Sequence, residues 1–124
     1  MDDLVTFLPP RPSSAGVARE VVSWQLREWD IACLCDDAAL VVTELISNAV
    51  RHAETEVQLT VKHLDDGVRL EVSDRSFRPL LRRQPWLLGE GGRGLHLVDA
   101  LSTRHGVDTD AHGKKVWVEM LVSA

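Results

Sequence analysis

Glu44, Asn48 and His52 stand four residues apart in a segment of helical periodicity, so their side chains climb one side of a helix. A carboxylate one turn from a carboxamide can do chemistry. The acid can take a proton from a hydroxyl, and the amide oxygen is a hard ligand for a cation such as Mg²⁺. The same spacing is common on solvated helix faces, so the pair needs support from elsewhere in the chain. A second carboxylate closes the run Glu71-Val72-Ser73-Asp74. At a strand end, Asp74 could accept a hydrogen bond from the exocyclic amine of adenine, or simply cap a turn. The third element is Gly89-Glu90-Gly91-Gly92-Arg93-Gly94-Leu95, which runs into a helical pattern. Glycines let backbone N–H groups approach phosphate oxygens, the helix start adds its positive dipole end, and Arg93 adds charge. No Gly-Lys-Ser/Thr closes this segment, so it is not a Walker loop, and it does not follow a first strand as a dinucleotide fingerprint does.

These groups must be held by the elements around them. Leu4-Val5-Thr6-Phe7-Leu8 reads as a short strand stopped by Pro9-Pro10. Ser13 or Ser14 is the expected cap of a helix over residues 15–29, with Val17, Val21, Trp24 and Leu26 towards the core and Arg19, Glu20, Arg27 and Glu28 in water. Cys35-Asp36-Asp37 opens a second helix, to about residue 53, in which Leu34, Ala38, Val41, Val42, Leu45 and Ala49 make a broad apolar stripe. Alternation at Val57, Leu59, Val61 and again at Val68, Leu70, Val72 predicts two strands joined through Asp65-Asp66-Gly67. Residues 73–93 are irregular, helical spacing resumes over 94–101, and a last strand pair is expected over 104–109 and 116–122. Hairpin pairs with helices between them predict an α+β, two-layer α/β sandwich. Its sheet is mixed but mainly antiparallel, with helices on one face.

The chain has 124 residues, which suits one domain over 1–124, and its 44% apolar content suits a true core. A net charge of −5 argues against nucleic acid as a direct partner. No apolar run approaches the roughly 20 residues that span a bilayer, and the start Met1-Asp2-Asp3 lacks a basic leader, so no membrane partner and a cytoplasmic location are expected. Cys33 and Cys35 are too few and too close for a disulfide or a four-ligand zinc site. His52, His63, His96, His105 and His112 show no ligand-type spacing.

The order of the signals is more specific than any one of them. A Glu-x-x-x-Asn helix, a hairpin, a strand-ending Asp and a Gly-x-Gly-Leu helix entry together resemble the GHKL ATPase superfamily, with its Bergerat ATP-binding fold. Within it, TELISNAVRHA, GRGLHLVDALSTRHG, GKKVWVEM and REVVSWQLREW resemble the anti-sigma-factor serine/threonine kinases of bacteria, across nearly the whole chain. The resemblance implies an ATP-dependent protein kinase, with ATP and Mg²⁺ as cofactors and with a sigma factor and a small antagonist protein as partners. It implies Glu44 as general base, Asn48 as Mg²⁺ ligand, Asp74 on the adenine amine, and Gly92, Arg93, Gly94 and Leu95 in the phosphate-facing lid. It also makes the N-terminal strand and first helix plausible surfaces for a homodimer.

Two departures stand out. Arg75-Ser76-Phe77-Arg78-Pro79 lacks the glycine that relatives often carry after the aspartate, and Lys115 stands where many carry a threonine. Both favour the rival reading, a partner-sequestering module of the same fold. Trp24, Trp29 and Trp86 would be its anchors if exposed, with core packing the expectation for Trp24. The catalytic half of a histidine kinase ranks last, since no segment supplies the phospho-accepting helix pair.

Overall fold

The computed structural model describes residues 2–53, 55–74, 98, 100–110 and 113–122, without the side chains of His52 and Asp110. Strand β1 (Leu4–Leu8) leads into helix α1 (Ser14–Glu28), a short 3₁₀ turn and helix α2 (Cys35–His52). Strands β2 (Val57–Leu64), β3 (Gly67–Asp74), β4 (Arg104–Asp110) and β5 (Gly113–Leu121) complete the sheet. Its order is β1-β2-β3-β5-β4, and every pairing is antiparallel. The expected mixed sheet is therefore antiparallel throughout among the described residues, with α1 and α2 packed on one side.

Local chemistry explains the boundaries. Ser13 occupies the N-cap position of α1 without a capping bond, while the Ser14 hydroxyl donates to the Pro9 carbonyl at 2.6 Å. The helix stops because Asp30 adopts a positive φ of 60°, letting the Ile31 N–H reach the Leu26 carbonyl at 2.9 Å. Asp36 and Asp37 lie in the first turn of α2, where the helix dipole favours acids. Gly67 has no room for a side chain, since a Cβ there would fall 2.0 Å from the Met120 carbonyl oxygen. Only glycine lets β3 begin this close to β5.

The core lies between sheet and helices. Val57, Leu59 and Val61, then Val68, Leu70 and Val72, then Val116, Val118 and Met120 alternate inward from three central strands. They meet the expected α2 stripe, all of which is buried together with Ile46. On α1 the expected face holds only at Leu26. Val17 and Trp24 are 49% and 56% exposed, and the buried face is Ala15, Ala18, Val22 and Leu26. Small residues let α1 approach α2 and the sheet closely, which large ones at those positions would prevent. Trp29, just past the helix, is buried and meets His63 edge-on at 5.1 Å. Cys33 is exposed and Cys35 buried, both as free thiols. No helix among the described residues is long and apolar enough to cross a membrane.

Candidate functional site

The site grows from the C-terminal half of α2. Its apolar stripe is pressed against the sheet, which fixes the helix rotation and so the direction of the polar ladder beside it. Glu44 is half-buried and Asn48 is buried at 6% exposure, one turn further on. The Arg51 guanidinium donates from Nη2 to Asn48 Oδ1 at 2.8 Å. A guanidinium can only donate, so this contact settles which end of the amide is the oxygen. That oxygen is engaged by a guanidinium, so although a single hard oxygen is the kind of ligand Mg²⁺ takes, with water and phosphate completing its shell, Asn48 would hold the ion only with Arg51 drawn off it. Among the described residues no group of three or more His, Cys, Asp or Glu is gathered as an all-protein metal cage.

The sheet brings Asp74 to the same end of the fold. Asp74 pairs in register with Val57, the first residue of β2, and β2 follows directly on α2. It shares strand parity with Val68, Leu70 and Val72, so it belongs to the helix-facing side, and it is only 4% exposed. An acid at such a position is a carboxylate delivered into the layer between sheet and helix, not a turn cap in water.

Parity also corrects an expectation. Lys115, read from sequence as the replacement for a pocket threonine, pairs with Ser73 on the opposite face, where its Nζ lies 3.6 Å from Glu71 Oε1. The residue across from Asp74 is Lys114, with Nζ 3.9 Å from Oδ2. Counting by twos from the buried Val116 would have found this in the sequence.

Gly92, Arg93, Gly94 and Leu95 lie outside the described residues, as do 75–79, Trp86, His96 and His112. Beyond that segment Val98, Ala100 and Leu101 are helical, and Val98 is buried in the core.

Sequence reasoning missed a second polar assembly on the outer sheet face. Glu71 and Glu119 are buried there, and Arg69 bridges them, with Nε 2.7 Å from Glu71 Oε2 and Nη1 2.9 Å from Glu119 Oε2. Arg104 reaches Glu119 at 2.6 Å, Lys62 lies 3.6 Å from Glu71, and the Arg69 guanidinium stacks 4.3 Å over the Trp117 ring. Burial alone would push the Glu71 carboxyl up, but the Arg69 hydrogen bond with the Lys115 and Lys62 charges holds it below its ordinary range. For Glu119 the Arg69 hydrogen bond dominates, burial opposes it and Arg104 assists, and the net shift is again downward. For Arg69, burial favours loss of the proton, but bonds to both glutamates outweigh it and raise the pKa.

Comparison with known proteins decides the family. Residues 8–120 match the model of the histidine kinase-like ATPase domain. The chain belongs to this family. No curated protein matches it significantly. Among solved structures, this histidine kinase-like ATPase domain is similar to a Mycobacterium tuberculosis protein carrying RsbU and RsbW domains. The TM-score is 0.68 at 21% identity, covering 98% of this chain and 32% of that one. It is also similar to the histidine kinase domain of a blue-light activated histidine kinase from Erythrobacter litoralis. There the TM-score is 0.58 at 19% identity, over 91% of this chain and 61% of that one. At such identities the likeness establishes the ATPase fold, and this chain spans about a third and three-fifths of the two proteins.

Proposed function

We propose that this histidine kinase-like ATPase domain is an anti-sigma-factor serine/threonine protein kinase that phosphorylates a small antagonist protein. The observation that carries the reading is the burial of two polar side chains, Asn48 and Asp74, from different elements at one end of the fold. Within the protein Asn48 Oδ1 accepts from Arg51 and Asp74 faces Lys114, so the support lies not in unmet bonds but in the convergence of a buried amide oxygen and a buried carboxylate, the groups a purine nucleotide and its cation would engage. The resemblance of TELISNAVRHA and the lid segment to that kinase branch supports the assignment, as does the likeness to a structure containing an RsbW domain.

In this reading Asp74 would take the adenine amine, and Asn48 would hold Mg²⁺ in place of its Arg51 contact. Gly92, Arg93, Gly94 and Leu95 belong to the lid. When bound, Mg²⁺ supplies charge neutralisation on the phosphate oxygens. Glu44 accepts the proton of a serine hydroxyl on the antagonist as that oxygen takes the terminal phosphoryl group and ADP leaves. The new phosphate adds negative charge to the antagonist and weakens its docking, freeing this protein to hold a sigma factor. Incubation with labelled ATP and the cognate antagonist tests this. Label should pass to the antagonist, and Glu44→Ala should abolish the transfer; undiminished transfer in that variant rules out the assigned base.

One observation favours a second reading, a partner-sequestering module. Lys114 places a cation beside the carboxylate that would bind adenine, which could weaken nucleotide binding. A melting temperature unmoved by saturating Mg·ATP would favour it.

A further inference from the structure

The amide on which the proposed metal contact rests is engaged from within its own helix. Arg51 lies three residues beyond Asn48, so the two side chains are neighbours on one side of α2. Arg51 Nη2 donates to Asn48 Oδ1 at 2.8 Å, the length of a charge-assisted hydrogen bond. The two ends of this contact differ in burial. Asn48 is 6% exposed, whereas Arg51 is an exposed residue in the last turn of the helix. Among the described residues this is the one side-chain hydrogen bond of Asn48. The guanidinium therefore caps an oxygen that water barely reaches, while Arg51 itself stays in contact with water.

An amide oxygen held in this way is not an open metal ligand. It has two lone pairs, but a guanidinium and Mg²⁺ on one oxygen would be like charges a few ångströms apart, and burial weakens the screening between them. The metal ion and Arg51 are therefore alternatives at Asn48. The contact is also one that can be given up. Among the described residues no carboxylate pairs with Arg51, so releasing the guanidinium into water breaks the bond to Asn48 and no ion pair. The partners are three residues apart on a single helix, so the exchange asks for a side-chain rotation and no movement of the sheet.

We infer that Arg51 is a displaceable counter-cation on Asn48, which the metal of a bound nucleotide must replace, so that Arg51 sets how strongly nucleotide binding depends on Mg²⁺. This rests on the nucleotide-binding reading above. The test is calorimetric titration of ATP, with Mg²⁺ and separately in EDTA, into the full wild-type chain, Arg51→Met, Asn48→Ala and the double variant, each shown to fold by a thermal melt. Arg51→Met is expected to bind Mg·ATP about tenfold more tightly than the wild type, the low end for a hydrogen bond to a charged group, because no exchange is then needed. In EDTA the same substitution should bring no gain, since no metal then claims the oxygen. The double variant should bind Mg·ATP no better than Asn48→Ala alone. Mg·ATP binding by a folded Arg51→Met that is equal to or weaker than that of the wild type overturns the inference and leaves the nucleotide reading intact. An equal gain in EDTA does the same, because a merely structural change moves both conditions together. A gain that survives in the Asn48→Ala background also overturns the inference. Binding of no nucleotide by either the wild type or Arg51→Met overturns both. Arg51→Ala takes the place of Arg51→Met should that variant not fold.

Discussion

Arg69→Met tests whether the outer sheet face is held by its charges. The substitution keeps much of the side-chain volume and removes two short bonds, to Glu71 at 2.7 Å and to Glu119 at 2.9 Å, with the stacking on Trp117. Removing one member of a buried ion pair typically costs about 3–5 kcal/mol. The cost here is smaller, because Lys62 and Lys115 still face Glu71 and Arg104 still holds Glu119. Two charge-assisted hydrogen bonds and a cation–π contact, reduced for these remaining partners, give about 2–3 kcal/mol. For a chain of this size that lowers Tm by about 8–12 °C. Urea unfolding at neutral pH measures it directly. The pH dependence follows with a definite sign. Both glutamates have native pKa values held below the unfolded value of about 4.3. Their contribution is thus complete above that pH and is lost as pH falls through the depressed native values. The stability gap between wild type and Arg69→Met should be full at pH 7 and shrink below about pH 4. A loss under about 0.5 kcal/mol, the size expected of an ordinary surface change, or a gap that widens in acid, would refute the reasoning.

Other predictions bear on separate elements. Glu44→Gln should keep Mg·ATP affinity within about threefold yet slow phosphoryl transfer by about a hundredfold or more, as loss of a general base does; filter binding and transfer assays check the two halves. Gly67→Ala should destabilise the fold by about 3 kcal/mol, because the new methyl would meet the Met120 carbonyl and part β3 from β5; denaturant midpoints measure it. One thiol per native chain, Cys33, should react quickly with a disulfide reagent, and the buried Cys35 only after unfolding.

The α2 stripe and the central strands were legible because their hydrophobic periods are long and unbroken. Val41, Val42 and Leu45 on α2 are buried as the helical period requires, and Val57, Leu59 and Val61 on β2 as strand alternation requires. The face of α1 was legible only at Leu26. Hydropathy selects the large residues Val17 and Trp24, whereas close packing against α2 selects Ala15 and Ala18. Asp74 could be placed from its position at the end of an alternating run, but the residue across from it could not be named without strand parity, which separates Lys114 from Lys115. Glu71 and Glu119 read as ordinary wet-face residues. Their burial arises only when Arg69, Arg104 and Trp117 from three strands close over them, a long-range arrangement that no local pattern encodes.

The most direct test of the nucleotide site is calorimetric titration of Mg·ATP into the wild-type chain, Asn48→Ala and Asp74→Asn. One nucleotide should bind per wild-type chain, and each substitution should weaken binding by about tenfold or more, since each removes a buried polar contact. Absence of saturable binding, or equal affinity in all three folded proteins, would contradict the account.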